Sequence, residues 1–174
     1  MEGGASTSEA RVAKLFGLRG DRWIRHANPL SVWTRFSVLS LLALAVWSRV
    51  WIGWYSLIAV AIAFAWMMLN PLLFAKPRST KNWATKGVFG ERIWSERKNL
   101  TIPEQFKSPV PNVANAYAVL EMALLIYDLI ALQVIPVLAG IVIAHGGKLW
   151  YLDCMVLLFE DMKTRNSDIA GWEY

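Results

Sequence analysis

Two carboxylates interrupt a long apolar stretch of this sequence and could carry out acid–base chemistry there. Residues 119–144, VLEMALLIYDLIALQVIPVLAGIVIA, contain 26 residues, of which only Glu121, Asp128 and Gln133 have strongly polar side chains. Glu121 and Asp128 are seven residues apart, which places them on nearly one face of a helix. A carboxyl group held away from water is protonated more readily, so it can give or take a proton near neutral pH.

Nearby charges offer two interpretations of this pair. Arg35 lies about five residues inside the first predicted membrane helix, where it could reach Glu121, and Arg49 lies near the predicted depth of Asp128. In one interpretation each carboxylate pairs with an arginine, or is protonated, and only fixes helix register. In the other, Glu121 and Asp128 are catalytic, with Glu121 favoured because it is deeper, and Tyr117 lies one turn before it.

Candidate substrate-binding residues are Arg35 and Tyr117 beside the carboxylates, Asn70 near the end of the second predicted helix, and His26 and Asn28 before the first. A substrate would lie between the helices, with its polar end held by the residues at the cytoplasmic side.

Metal-binding patterns are not evident. His26 and His145 are the only histidines, Cys154 is the only cysteine, and no zinc spacing or Glu-x-x-His pair occurs. An interfacial role is favoured for both histidines. The sequence indicates no metal site and identifies no cofactor, and nucleotide loops, nucleophile elbows and haem attachment sequences do not occur.

The composition indicates a membrane protein. The 174 residues are 56% hydrophobic with a mean hydropathy of +0.36, and 18% are charged against roughly 25% in soluble domains. The ten tryptophans fall mostly near predicted helix ends, which is typical of aromatic belts at membrane interfaces. The expected class is an all-α integral membrane bundle of about four transmembrane helices with short interfacial amphipathic helices.

The first transmembrane hairpin is predicted over residues 30–75. Its helices cover 30–48 and 56–75, and the aromatic turn RVWIGWY at 49–55 joins them. Before it, residues 1–29 form a cytoplasmic or interfacial segment with a short helix through Leu18 and no apolar core of a signal peptide.

A second hairpin with an amphipathic end is predicted over residues 112–163, followed by a tail at 164–174. After the third helix, 112–132, two alternatives remain. Either a broken fourth span runs from Ile135 to about Phe159, or Pro136 to His145 re-enters the membrane and leaves on the same side. Four spans are preferred. Leu149, Leu152, Val156 and Phe159 lie at helical spacing near the end.

Residues 76–111 form a predicted basic cytoplasmic loop with some helix around Phe89 to Lys98. It has eight Lys or Arg against three Asp or Glu, and with Arg22 and Arg25 it places loop and termini in the cytoplasm by the positive-inside rule. Membrane lipids are the expected partners, with anionic headgroups at this loop. Nucleic acid is not expected as a partner, since the loop adjoins two spans and contains Trp83 and Trp94.

Three segments carry a family resemblance: RWIRHANPLSVWTRF, NPLLFAKPRSTKNWATKGVFGERIW and KLWYLDCMVLLFEDM. They resemble an uncharacterised family of small prokaryotic polytopic membrane proteins, a domain of unknown function, over about Val12 to Met162. The resemblance implies location in the cytoplasmic membrane of a prokaryote and brings no activity.

Three functions are compatible with these features. The first is a membrane enzyme that acts on a lipophilic, isoprenoid-like or lipid-like substrate, with Glu121 and Asp128 as acid and base. The alternative is a non-catalytic subunit or scaffold, whose carboxylates pair with arginines and whose loop binds anionic lipid or a partner membrane protein. Proton-coupled transport is weaker, because four spans would need an oligomer to build a pathway.

Overall fold

The computed structural model describes Thr7, Arg11, residues 21–107 and residues 110–174. These residues form helices joined by turns, and none of them lies in a β-strand, which confirms the predicted all-α class. The α-helices in chain order are α1 (Asp21–His26), α2 (Pro29–Trp47), α3 (Arg49–Ile52), α4 (Ser56–Leu73), α5 (Trp83–Ser95), α6 (Val110–Ile130), α7 (Val134–Arg165) and α8 (Ser167–Ala170). The helix predicted to run through Leu18 lies outside the described residues, apart from Thr7 and Arg11.

The chain divides into two compact units. The charged unit comprises the described residues of Met1–Val32, Pro71–Ser108 and Tyr151–Tyr174, and the apolar unit comprises those of Trp33–Asn70 and Pro109–Trp150. Most Lys, Arg, Asp and Glu residues belong to the charged unit.

In the apolar unit, α2 and α4 form an antiparallel pair. The Asn70 amide donates to the Thr34 hydroxyl at 2.8 Å, and the Trp66 indole donates to the Ser37 hydroxyl at 3.4 Å. Early residues of α2 therefore face late residues of α4. Between the helices, Gly53 has φ 54° in the left-handed region that favours glycine. The boundaries of α2 and α4 agree with those predicted for the two helices to within two residues.

Helix α7 is one continuous helix of 32 residues, so the prediction of a broken helix between Ile135 and about Phe159 is wrong, and the chain does not reverse between Pro136 and His145 as the re-entrant alternative requires. Pro136 lies in the first turn, where a helix has no internal partner for backbone N–H groups and proline is tolerated. Gly146 and Gly147 each cost a helix only about 1 kcal/mol. In the apolar unit, Val137 of α7 packs with Leu125 and Leu129 of α6.

In the charged unit, the segment predicted as a cytoplasmic loop contains a packed helix. Helix α5 begins six residues before the predicted helix, where the Asn82 side chain accepts a hydrogen bond from the Ala84 N–H at 2.8 Å. Val88, Phe89, Ile93 and Trp94 are buried. The charged residues of this helix lie on its other faces. Composition counts these charges without showing their faces, so it predicted a basic loop.

Helices α5 and α7 touch at their backbones within the charged unit. A Cβ atom built on Gly90 would lie 1.9 Å from the Met155 carbonyl oxygen, and one on Gly87 would lie 3.2 Å from the Leu152 side chain. Beside this contact the rings of Phe89 and Phe159 lie 5.4 Å apart. Glycine at position 90 is therefore required by the packing.

The apolar face predicted near the C-terminal end of α7 is partly correct. Leu152 and Phe159 are buried, whereas Leu149 is exposed and Val156 is half-buried. Met155, Leu158 and Met162 complete the buried face. The packed face of α7 is rotated from the predicted face towards α5. The glycines of α5 determine which residues of α7 contact that helix.

Replacing Gly90 with alanine should destabilise the protein strongly. Overpacking against side chains costs about 1–3 kcal/mol, and here the obstacle is a backbone carbonyl that cannot rotate away. For a chain of this size each 1 kcal/mol lowers the melting temperature by about 2–4 °C. Thermal unfolding in detergent measures the loss.

Gly146→Ala is the matched control, because nothing lies within 4 Å of a Cβ at that position of α7. It should leave the melting temperature unchanged or raise it slightly, since alanine favours helix. Equal melting temperatures for Gly90→Ala and Gly146→Ala would contradict the backbone contact.

Candidate functional site

Glu121 lies on α6 with its carboxylate towards α7. The carboxylate faces the backbone of Ala144 and lies near the imidazole of His145. Its Oε1 atom is buried and has no hydrogen-bond partner among the described residues. A buried polar atom normally finds a partner, because leaving it unpaired costs about 1–3 kcal/mol or more. Glu121 is therefore the side chain of this unit that packing alone explains least.

His145 is held by two carbonyl oxygens. Its Nδ1 lies 2.6 Å from the Ile141 oxygen, and its Nε2 lies 2.7 Å from the Phe36 oxygen. Carbonyl oxygens only accept hydrogen bonds, so both contacts are hydrogen bonds when both ring nitrogens carry protons, and the neutral ring satisfies one. The two contacts hold the ring in place beside the Glu121 carboxylate.

The proximity of Glu121 to His145 was not predicted from the sequence, which indicated an interfacial role for the histidine. A signal was present: both residues lie twelve positions from Gln133, in the short connection between α6 and α7. Antiparallel helices joined by a short turn bring residues at equal distances from that turn together.

Asp128 does not pair with Arg49, so that prediction is wrong. The Arg49 guanidinium instead donates to the carbonyl oxygens of Leu129 and Ile130, each at 2.8 Å. These are the last carbonyls of α6, which have no partner within the helix, and a cation there is favourable to the helix dipole. Asp128 is half-buried and forms no ion pair with any described residue.

The other predicted binding residues are divided between the units. Asn70 is fully buried and bonded to Thr34, Arg35 is half-buried, and Tyr117 is exposed; all three belong to the apolar unit with the two carboxylates. In the charged unit, the rings of His26 and Trp23 meet edge to face with centroids 6.0 Å apart.

Asn28 is also in the charged unit. Its amide donates to the Ala75 carbonyl oxygen at 2.9 Å, and its side-chain oxygen accepts the Leu30 N–H at 2.9 Å, which caps α2. Asn28 thus has a structural role as the cap of α2, which agrees with its position directly before Pro29.

A closed ring of four charges lies in the charged unit and was not predicted. Lys86 of α5 contacts Glu160 of α7 and, at 3.0 Å, Glu173; Lys163 contacts both glutamates at 2.7 Å. Each charge thus has two opposite neighbours. The side chains are 18–38% exposed, so screening by water reduces the energy of each pair.

The ring shifts the titration of its members outside the long helices. A hydrogen bond from Lys163, and to a smaller extent one from Lys86, holds the pKa of Glu173 below its ordinary value. The hydrogen bond to Glu160 is the main cause that raises the pKa of Lys86. Every group in the ring is stabilised in its charged form, which is typical of a structural cluster.

No three His, Cys, Asp or Glu side chains within the described part of the chain could together hold a metal ion.

Comparison with known proteins gives one match. The model of a protein family described as a family of unknown function (DUF6653) matches residues 7–172. No curated protein and no solved structure matches the chain.

The stability of the charged unit should fall in acid because of Glu173. Its folded-state pKa is below the ordinary value of 4.5, so its contribution is fully present above about pH 4.5 and is lost as pH falls through the lower folded-state value. Glu173→Gln should therefore destabilise the protein at neutral pH, by about 1–2 kcal/mol for lost charge-assisted hydrogen bonds. The difference from wild type should shrink in acid.

Thermal unfolding of both proteins across this pH range measures the effect. Glu104→Gln is the control, because Glu104 also contacts a lysine but its side chain is 86% exposed. A deficit in Glu173→Gln that stayed constant with pH would show that the ring does not supply the acid-dependent stability.

Proposed function

The chain belongs to DUF6653, a family of unknown function, and we propose its function from the geometry of Glu121 and its surroundings. The protein is an integral membrane protein that transfers protons to or from a lipophilic, isoprenoid-like or lipid-like molecule at Glu121, with His145 as the neighbouring group. The buried and unpartnered Oε1 atom of Glu121 beside His145 is the observation that carries this proposal.

Membrane location is supported by length, composition and exposure. Two helical stretches of the described residues could cross a membrane by length and composition: Pro29–Leu73, with 45 residues, and Val134–Arg165, with 32. Only 22% and 6% of their apolar windows is buried within the protein, unlike the core helices of a soluble protein. Ile135 is 79% exposed and Val142 71%, which suits contact with lipid.

We propose four spans, and the order of the helices supports this number. The first stretch contains the antiparallel pair α2 and α4, each close to the ~30 Å thickness of the hydrocarbon at 1.5 Å per residue. We assign α6 and the N-terminal part of α7 as the third and fourth spans. The basic residues before α2 and after α4 then lie in the cytoplasm of a prokaryotic cell.

Proton transfer needs a carboxyl group whose proton is not already committed. Because Oε1 has no partner among the described residues, it can take a proton from a substrate carbon or oxygen atom, or return one. The imidazole of His145 lies beside the carboxylate that remains after donation. Asp128, seven residues along the same helix, is the second candidate carboxylate.

A non-catalytic membrane subunit is the second candidate function. It is favoured by the two carbonyl contacts of His145, which hold the ring as a structural cross-link would. In that case Glu121 and the half-buried His145 ring serve only the packing of the helices, and binding of lipid or a partner membrane protein, rather than chemistry, is the function.

Cysteine labelling should show that the turn after α2 and the segment after α4 lie on opposite sides of the membrane. Cys154 is the only cysteine, so Cys154→Ser provides a background without thiols. In intact cells a membrane-impermeant maleimide should label Trp54→Cys, whose parent side chain is 87% exposed, and should not label Ser79→Cys until the cells are lysed. Equal labelling at both positions before lysis would contradict the hairpin.

Glu121→Gln should keep or raise thermal stability in detergent while changing the lipophilic molecules that co-purify. The substitution keeps shape and removes a buried charge whose Oε1 has no partner, so it removes a desolvation cost. Mass spectrometry of the purified protein identifies the bound molecules. Asp128→Asn is the control. Asp128 lies on the same helix and forms no ion pair with a described residue, so this variant shows the effect of losing a charge on α6 without changing Glu121.

The alternative function makes the opposite prediction for the same variant. If Glu121 serves only the packing of the helices, Glu121→Gln should lower the melting temperature by about 2–4 °C for each 1 kcal/mol lost, with no change in bound molecules. That result would reject proton transfer at Glu121 and favour the non-catalytic subunit.

A further inference from the structure

Two groups of positive side chains can be distinguished within the described part of the charged unit. Those of the first group contact a carboxylate, which neutralises them locally. They are Lys86 and Lys163 in the charge ring, Arg92 with Glu96, Lys107 with Glu104, and Arg165 with Asp161. The charges of this group help to hold the unit together.

Arg25, Arg78 and Lys81 belong to the second group. All three are exposed, and none of them forms an ion pair with any residue that the structure describes. Lys98 shares these properties but lies beyond the end of α5, in another part of the sequence. Position, rather than exposure alone, distinguishes the first three.

Two hydrogen bonds bring the segments of these three residues together. The Asn28 amide donates to the Ala75 carbonyl oxygen at 2.9 Å. Asn28 lies three residues after Arg25, and Ala75 lies three residues before Arg78. The buried Thr85 hydroxyl donates to the Ala27 carbonyl oxygen at 2.7 Å. The end of α1 therefore lies against the segment that follows α4, inside the charged unit.

The segment that carries Arg78 and Lys81 is fixed, and it directs both side chains outward. Pro77 and Thr80 are buried, whereas Arg78 and Lys81 are exposed. Three hydrogen bonds join Thr80 and Tyr174. The Thr80 N–H and hydroxyl donate to the Tyr174 carbonyl oxygen at 2.9 and 3.2 Å, and the Tyr174 N–H donates to the Thr80 hydroxyl at 2.7 Å. The two cations are thus presented on an ordered backbone.

These cations flank the ends of two long apolar helices. Helix α2 begins at Pro29, four residues after Arg25, and α4 ends at Leu73, five residues before Arg78. If α2 and α4 cross a membrane, as the proposed function requires, these ends lie at the level of the lipid headgroups. Arginine binds phosphate oxygens in a bidentate fashion, and the N-terminus of α2 adds a favourable dipole.

We infer that Arg25, Arg78 and Lys81 form a binding site for the phosphodiester of an anionic lipid headgroup. This narrows the binding of anionic lipid from the whole basic segment 76–111 to the junction held by Asn28 and Ala75. The ion-paired cations of the same segment do not take part. The site rests on the membrane location in the proposed function and is independent of proton transfer at Glu121.

Native mass spectrometry of the full chain in detergent, titrated with phosphatidylglycerol or phosphatidylcholine, tests this site. The wild-type protein should bind phosphatidylglycerol more tightly than phosphatidylcholine, and this preference should decrease at high salt. The triple variant Arg25→Gln, Arg78→Gln, Lys81→Gln should bind phosphatidylglycerol about fivefold more weakly for each cation removed, on the order of one hundredfold in total. All three parent side chains are exposed, so no core contact is lost.

A charge-matched control is Lys98→Gln, Lys107→Gln, Arg165→Gln, which also removes three exposed cations. It should keep most of the preference for phosphatidylglycerol. Equal weakening in both triple variants would overturn the site, because net charge alone would then explain binding. Full displacement of phosphatidylglycerol by soluble glycerol phosphate would also overturn it, in favour of a site for free phosphate.

Carbonate extraction of membranes that contain the wild-type protein separates failure of the site from failure of the membrane proposal. A protein that resists extraction but shows no preference for phosphatidylglycerol lacks the headgroup site and still spans the membrane. A protein released by carbonate does not span the membrane, and the headgroup site fails with the membrane proposal.

Discussion

The backbone contact between Gly90 of α5 and Met155 of α7 determines the packing of the charged unit. Glycine in a helix costs about 1 kcal/mol relative to alanine, so this residue is unfavourable for the helix that contains it. The cost is offset because the absent side chain lets two helices meet at their backbones. At that separation Phe89 reaches Phe159, and Lys86 reaches Glu160. The aromatic core and the charge ring both follow from this one contact.

A different constraint governs the apolar unit, where polar groups must find partners within the protein. Arg49 satisfies the last carbonyls of α6, Asn70 bonds to Thr34, and His145 contacts two carbonyl oxygens. Each arrangement removes the cost of a polar group among apolar side chains. Glu121 departs from this rule at its Oε1 atom. The proposed proton transfer rests on this departure in an otherwise satisfied environment.

The sequence predicted some of these features and not others for physical reasons. Helices α2 and α4 were predicted to within two residues, because long apolar segments bounded by turn residues have few alternatives. Helix α5 was predicted only as some helix around Phe89 to Lys98 within a basic loop, because composition counts charges without showing which of them are paired. Lys86 and Glu160 are 74 positions apart, and no local pattern marks such a pair. His145 was underestimated because its partner lies on the preceding helix.

Pairing also changes what the positive charge of this chain means. The formal net charge of +5 suggests one diffuse basic surface, yet contacts with carboxylates neutralise Lys86, Lys163 and other cations where they stand. A neutralised cation contributes little to the attraction of a distant anion, because the field of an ion pair falls off faster than that of a single charge. The long-range attraction therefore comes from cations without carboxylate partners. Arg25 and Arg78, on either side of the Asn28 contact with Ala75, supply it beside the ends of the apolar helices.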